Sequence, residues 1–287
     1  MTAPDAPDLV GRTLGPHHLT RLLGHGGFAW VYQAHRADSP DQVALKVLRP
    51  RYGTDPEFEH RFRTEAHVAA QLRHPNIVQI LDVGKAAGFT WFSMPLAVES
   101  LDAMIAHHGR LAEDTTVQVA REVAAGLAFA HQAGFVHRDI KPANVLLHEG
   151  RAVIGDFGIA RAVASYVSAT GVSMTIGTPP YIAPEQAQGH PLDGRTDLYA
   201  LGVLMYKCLT GDVPFRSTDW FELARMHVEQ QPEAPRKKRP QLSKRLERIV
   251  LRCLAKDRDD RYPSAGAVRQ ALDALEQTER SRRLWWR

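Results

Sequence analysis

Residues 137–144 read His-Arg-Asp-Ile-Lys-Pro-Ala-Asn, and Asp156-Phe157-Gly158 follows, its aspartate twelve positions after Asn144. This pairing constrains the chain more than any other feature. It sets Asp139, Lys141 and Asn144 on one short loop and brings a second carboxylate soon after. Moving a phosphoryl group from ATP to a hydroxyl needs such a set. One aspartate orients the hydroxyl and accepts its proton, a lysine stands near the transferring phosphate, and an asparagine and another aspartate hold magnesium. A chain built for that chemistry must also carry a glycine-built loop upstream and a platform for the acceptor downstream.

The length permits it. The chain has 287 residues, 44% of them hydrophobic, enough to bury a sizeable core. Its 36 Lys and Arg against 32 Asp and Glu leave a net +4, too weak to indicate nucleic acid, and no nucleic-acid partner is expected. Cys208 and Cys253 sit in apolar, helix-like stretches and read as buried reduced thiols. Met1 to Pro16 lacks the basic start and apolar core of a secretory signal, and no run approaches the roughly 18 apolar residues that cross a bilayer. A cytoplasmic protein is expected.

The periodicity changes along the chain. Strands are expected over His18 to Leu23, Ala29 to Ala34, Gln42 to Leu48, Ile77 to Val83 and Phe89 to Met94, with a helix over Asp55 to Leu72 ended by His74-Pro75. Beyond Ala97 the pattern is helical: Thr115 to Ala133, Leu198 to Thr210, Trp220 to Gln230, Ser243 to Leu254 and Ser264 to Leu275. Two short strands carry Asn144 to Leu147 and Ala152 to Ile154. The expected fold class is α+β and bilobal. A flexible segment covers 1–16, a β-rich lobe 17–97, a helical lobe 98–275, and a basic, aromatic tail 276–287. A nucleotide is expected in the cleft between lobes.

Gly24-His25-Gly26-Gly27 lies between the first two strands, where glycines let backbone N–H groups approach phosphates. Val43-Ala44-Leu45-Lys46 places a lysine on the third strand. That lysine needs a carboxylate on the following helix. Glu65 is the choice, because Glu57 and Glu59 fall too near the helix start.

In order and spacing these motifs resemble the eukaryotic-type (Hanks-type) protein serine/threonine kinases, closest to the bacterial ones, over about His17 to Leu275. The resemblance implies the bilobal kinase fold and an ATP- and Mg²⁺-dependent enzyme, with Mn²⁺ as an alternative metal, acting on Ser and Thr of protein substrates. Asp139 then resembles the catalytic base, with Lys141 beside it. Asn144 and Asp156 resemble the metal ligands, and Lys46 with Glu65 the phosphate-anchoring pair. Gly24, His25, Gly26 and Gly27 cover the phosphates, Val31, Ala44 and Leu146 sandwich adenine, and Met94, Pro95 and Ala97 resemble gatekeeper and hinge. Pro95 replaces a usual acidic residue but keeps its carbonyl. Gly177 to Glu185 resembles the substrate platform, with Thr178 bridging Asp139 and Lys141. Glu185 resembles the carboxylate that pairs with a buried arginine, here Arg261, and Asp197 the brace of the catalytic loop. A pseudokinase scaffold and a small-molecule kinase are the alternatives. The presence of Lys46, Asp139 and Asp156 opposes the first, and the platform opposes the second.

Arg138 beside the catalytic aspartate calls for an anion, and Thr170, Ser173 and Thr175 are the expected autophosphorylation sites, with a homodimer as one route. The basic region Arg236 to Arg252 is expected to be either a solvated face or a dock for an acidic partner. Arg280 to Arg287, with Leu284, Trp285 and Trp286, suits weak membrane contact or a tail folded on itself.

Overall fold

The computed structural model describes residues 9–26, 29–37, 41–49, 59–60, 62–63, 66, 69–97, 99–157 and 179–285, the side chains of 276–285 excepted. These residues fall into two compact units, one of residues up to 97 with 156–157, the other of residues 99–155 with 179–285.

The first unit holds an antiparallel sheet in the order β1-β2-β3-β4-β6-β5. Its strands are β1 (Thr13–Leu14), β2 (His17–His25), β3 (Ala29–Arg36), β4 (Gln42–Leu48), β5 (Asp82–Ala86) and β6 (Phe89–Pro95). Side chains alternate across a strand, and β4 shows the consequence. Val43, Leu45 and Val47 join Leu19, Trp30, Tyr32 and Trp91 in one core. Ala44 and Leu48 join Phe62, Ala66, Phe92 and Met94 in another. Lys46 therefore shares the face of Ala44 and Leu48. Gly84 faces Trp91 across the β5–β6 ladder, and a Cβ there would lie 2.4 Å from the indole Cζ2. Only glycine lets that ring lie flat on the strand.

Three expectations for this unit are corrected. Residues 9–16 are not a loose leader, because Leu9 and Leu14 are fully buried in the sheet core and Thr13–Leu14 pairs with β2. Residues 1–8 lie outside the described residues. The strand expected over Ile77 to Val83 is instead Asp82–Ala86. Ile77, Val78 and Ile80 earn their apolar character by packing against the core from an extended, largely unpaired segment. The β5–β6 turn at Ala87 and Gly88, both at positive φ, sets the true register. The described helical residues between 59 and 69 bury Phe62, Ala66 and Ala69 at spacings of four and three, but the helix gives way before Leu72, whose N–H already bonds Ala69 O in a tighter turn.

The second unit is mainly helical: α1 (Leu101–His108), α2 (Glu113–Gln132), α3 (Pro184–Ala187), α4 (Gly194–Thr210), α5 (Trp220–Glu229), α6 (Pro235–Lys238), α7 (Lys244–Cys253) and α8 (Ala265–Trp285). A sheet of β7 (Glu99–Ser100), β8 (Val145–His148) and β9 (Arg151–Ile154) accompanies them. Side-chain caps start the helices where the sequence offers them: Asp193 caps α4, Asp219 caps α5 and Ser243 caps α7. α4 is buried nearly all round, so it is the axis of this unit. Its Cys208 and the Cys253 of α7 are buried free thiols, each pushed up to about 12 by burial, hence protonated and inert. Helix α8 does not stop at Leu275 but runs on to Trp285, so most of the expected tail is helical. No described helix is long and apolar enough to cross a membrane.

Candidate active site

The loop from α2 to β8 is shaped by one buried carboxylate. Asp197, in the first turn of α4 and 0% exposed, accepts the backbone N–H of His137 on Oδ2 at 2.8 Å and that of Arg138 on Oδ1 at 2.7 Å. His131 Nε2 lies 2.8 Å from the same Oδ2. A carboxylate so bonded fixes two successive peptides, and Arg138 accepts a left-handed φ of +71° in consequence. The His137 ring is fixed as well. Its Nδ1 accepts from Asp139 N at 3.2 Å, so Nε2 carries the proton and donates to Gly155 O at 2.8 Å.

Those restraints deliver Asp139. Its Oδ2 lies 2.7 Å from Lys141 Nζ and 3.0 Å from Asn144 Nδ2, and Asn144 Nδ2 also donates to Asp139 O at 2.8 Å. Pro142 starts the single 3₁₀ turn, Pro142–Asn144, that brings Asn144 back toward Asp139. The loop thus presents a carboxylate whose charge is balanced by an ammonium and steadied by an amide. Such a group can accept a proton from a hydroxyl while the lysine offsets negative charge nearby.

In the first unit, Lys46 Nζ lies 2.5 Å from Asp156 Oδ1, and the lysine side chain is only 11% exposed. Asp156 has a left-handed φ of +61°, a conformation that a non-glycine residue adopts only under restraint. The lysine's expected partner, Glu65, lies outside the described residues, so Asp156 is the partner found. Val31, Ala44 and Met94 gather in one core cluster, with Met94 opposite Ala44 and Pro95 opposite Val43 across the β4–β6 ladder. Ala97 is half-buried just past β6. In the second unit, Leu146 pairs with Ser100 and Val153. Gly24 and His25 pair with Val31 and Trp30, and Gly26 N donates to Ala29 O at 2.8 Å to tighten the turn. A Cβ on Gly24 would meet nothing within 4 Å, so packing does not demand that glycine. It leaves the backbone bare on an open side, as a phosphate cradle needs. Gly27 lies outside the described residues.

Of the platform, Glu185 meets Arg261, while Thr178, Thr170, Ser173 and Thr175 lie outside the described residues. Sequence reasoning passed over Gln186. Its Nε2 donates to Arg138 O at 3.0 Å and its Oε1 accepts from Ala183 N at 3.1 Å, which ties the start of α3 to the loop that carries Asp139. Its place directly after Glu185 was the available signal.

Residues 17–273 match the family model described as protein kinase domain. A probable serine/threonine-protein kinase of Streptomyces coelicolor is 40% identical over 267 residues, covering 91% of this chain and 40% of that protein. The serine/threonine-protein kinase PknB of Mycobacterium tuberculosis is 38% identical, covering 89% of this chain and 42% of its own length. The serine/threonine-protein kinase pkn3 of Myxococcus xanthus is 36% identical, covering 98% and 54%. Among solved structures, the PknI kinase domain of M. tuberculosis superposes with a TM-score of 0.72 at 31% identity, covering 93% of this chain and 97% of that one. The fold is the protein-kinase fold, and the chain belongs to the protein kinase family, among relatives named serine/threonine-protein kinases. It spans about half the length, or less, of those curated relatives.

Proposed function

We propose that residues 17–275 form a catalytic domain that transfers the γ-phosphate of ATP to serine and threonine hydroxyls of protein substrates. The observation that carries this reading is the Asp139 carboxylate held by Lys141 at 2.7 Å and Asn144 at 3.0 Å. Asp139 orients the acceptor hydroxyl and takes its proton at a carboxylate oxygen, and Lys141 offsets charge on the transferring group. Lys46, partnered by Glu65, holds the phosphates, and the backbone of Gly24, His25, Gly26 and Gly27 covers them. Val31, Ala44 and Leu146 enclose adenine against Met94, Pro95 and Ala97.

Asn144 and Asp156 would hold Mg²⁺, or Mn²⁺ in its place. Both offer the oxygen donors a hard dication prefers. The amide nitrogen of Asn144 is taken up by Asp139, which leaves Oδ1 with no hydrogen-bond donor among the described residues. The ion would supply positive charge against the phosphate oxygens. Thr178 seats the acceptor, and autophosphorylation at Thr170, Ser173 or Thr175 within a homodimer controls the site. An acidic partner docks on the basic region 236–252, the cytoplasm is the compartment, and the tail makes at most weak membrane contact.

Incubation with ATP, Mg²⁺ and a serine/threonine peptide library, read by mass spectrometry, tests the activity. Phosphoserine and phosphothreonine are expected in the peptides. Unmodified peptides from a protein that binds ATP would overturn it.

A further inference from the structure

The basic region from Arg236 to Arg252 divides in two in space. Arg236 and Arg239 are structural: Arg236 Nε donates to Leu242 O at 2.9 Å, and Arg239 Nη1 donates to Leu111 O at 2.7 Å and to Leu209 O at 3.2 Å. Arg245, Arg248 and Arg252 instead share the exposed side of α7 at spacings of three and four. They line a cavity of about 450 Å³ between α7 and α8. Ile249, Ala271 and Leu275 form much of its apolar wall, and Tyr262 stands beneath Arg252, whose guanidinium carbon lies 4.3 Å from the ring centroid.

Like charges one turn apart on a helix repel. Arg248 and Arg252 pair with no carboxylate among the described residues. Among the described side chains the nearby acids are engaged elsewhere: Glu247 accepts from Arg236 N, and Asp273 faces Arg121. Stacking on Tyr262 aligns the Arg252 fork without neutralising it. The cavity therefore sets two guanidiniums that no described carboxylate pairs, those of Arg248 and Arg252, against an apolar wall. We propose that it docks a phosphorylated serine or threonine flanked by aliphatic residues, on a protein partner. This deepens, and rests on, the acidic-partner reading of the same region. A phosphate monoester carries about −1.5 to −2 charge and three acceptor oxygens, so it engages two or three guanidiniums where a carboxylate occupies one. The aliphatic flank covers the apolar wall, which a polyol headgroup would leave unmatched.

The test uses the whole chain with saturating ATP analogue and Mg²⁺. Three labelled nonapeptides are titrated, centred on Leu-phosphothreonine-Leu, Leu-Glu-Leu and Leu-Thr-Leu, alongside vesicles containing a phosphoinositide. Binding is read by polarisation and by methyl NMR of Ile249 and Ala271. The phosphopeptide is expected to bind at least tenfold more tightly than the glutamate peptide, to shift those methyls, and to lose at least tenfold in Arg248→Ala. Arg252→Lys, which keeps the charge and loses the fork, is expected to weaken it as well. Equal binding of phosphopeptide and glutamate peptide would overturn the phosphate-specific inference and leave the acidic-partner reading standing. Binding of neither would overturn both. Tighter vesicle binding lost in Arg248→Ala would assign the cavity to a membrane instead. Phosphopeptide binding unaffected by Arg248→Ala, without methyl shifts, would place the phosphate elsewhere and overturn the site.

Discussion

The Arg261 guanidinium meets the Glu185 carboxylate in two parallel hydrogen bonds of 2.8 Å, with the arginine 1% and the glutamate 5% exposed. Every donor on that guanidinium is used: Nε to Ala255 O, Nη1 also to Arg195 O, Nη2 also to Lys256 O. Burial alone would raise the Glu185 carboxyl. The Arg261 bonds and charge, with the Thr196 hydroxyl, outweigh burial and hold it below the usual range. A buried pair this complete tolerates loss of one partner poorly, because the other charge is stranded. Glu185→Ala should cost about 3–5 kcal/mol in urea unfolding. Glu185→Ala with Arg261→Met should cost clearly less than the sum of the singles. Additive losses would mean that the two residues stabilise the fold independently.

Asp139→Asn should reduce phosphoryl transfer by about 10²–10⁴ while ATP affinity stays near wild type. The substitution preserves the shape that Lys141 and Asn144 surround and removes the proposed proton acceptor. Turnover within a few-fold of wild type would show that the base lies elsewhere.

Lys46 has two candidate partners, Asp156, found at 2.5 Å, and Glu65, expected from the motif. Lys46→Met should abolish most activity. Double-mutant cycles on ATP affinity should show coupling between Lys46 and Glu65 of about 1 kcal/mol or more, as for residues acting through one contact. Additivity there, with coupling to Asp156 alone, would make Asp156 the functional partner.

The geometry of the candidate site was legible where its residues are local in sequence. Asp139, Lys141 and Asn144 are within six positions, and one 3₁₀ turn suffices to join them. Strand β4 was legible because it is a short, mostly apolar run rich in β-branched and aliphatic residues, as burial of both its faces requires. Longer-range relations were not. Lys46 and Asp156 are 110 residues apart, and nothing in either neighbourhood announces the contact. The Gln186 bond to Arg138 spans 48 residues and uses a residue type with many other roles. The misplaced strand at 77–83 shows a further limit. A burial signal in Ile77, Val78 and Ile80 does not distinguish a ladder from an extended segment lying on a core. Short α1, although capped by Ser100 at its start, was passed over because eight residues carry little periodicity.

His227 on α5 gives an acid-side dependence of stability. The ring is fully buried, with Tyr199 OH 3.0 Å from Nδ1, Phe215 edge-on, the backbone of Pro180 facing it, and Lys256 Nζ bonded to its own carbonyl at 2.7 Å. Burial first, then the Lys256 charge, lowers it to about 3. The unfolded chain takes up a proton below about pH 6.5, which the folded chain refuses until about 3, so stability must fall with pH across that window. From pH 7 to pH 5 this residue alone should account for a loss of about 2 kcal/mol. His227→Gln should flatten that part of the stability–pH curve relative to wild type, whatever its effect on stability at neutral pH. An unchanged slope would mean that the folded ring is protonated readily.

The proposed control by phosphate turns on Arg138. Its backbone is held on both sides, by Asp197 at the N–H and by Gln186 at the carbonyl. Its buried Nε has no hydrogen-bond partner among the described residues. A buried guanidinium donor without an acceptor is costly, and a phosphate supplies both the charge and the oxygens it lacks. Phosphate on Thr170, Ser173 or Thr175 should therefore pair with Arg138 and order the segment that leads to Thr178. Phosphatase treatment should lower activity about tenfold or more in the wild type, since one charge-assisted contact of 1.5–3 kcal/mol is worth roughly that factor. Arg138→Ala should start low and respond little to the same treatment. Mass spectrometry should find the lost phosphate at one of the three named hydroxyls. Equal activity with and without phosphate would remove Arg138 from control and leave Asp139, Lys141 and Asn144 as the catalytic set, because their hydrogen bonds do not pass through its side chain.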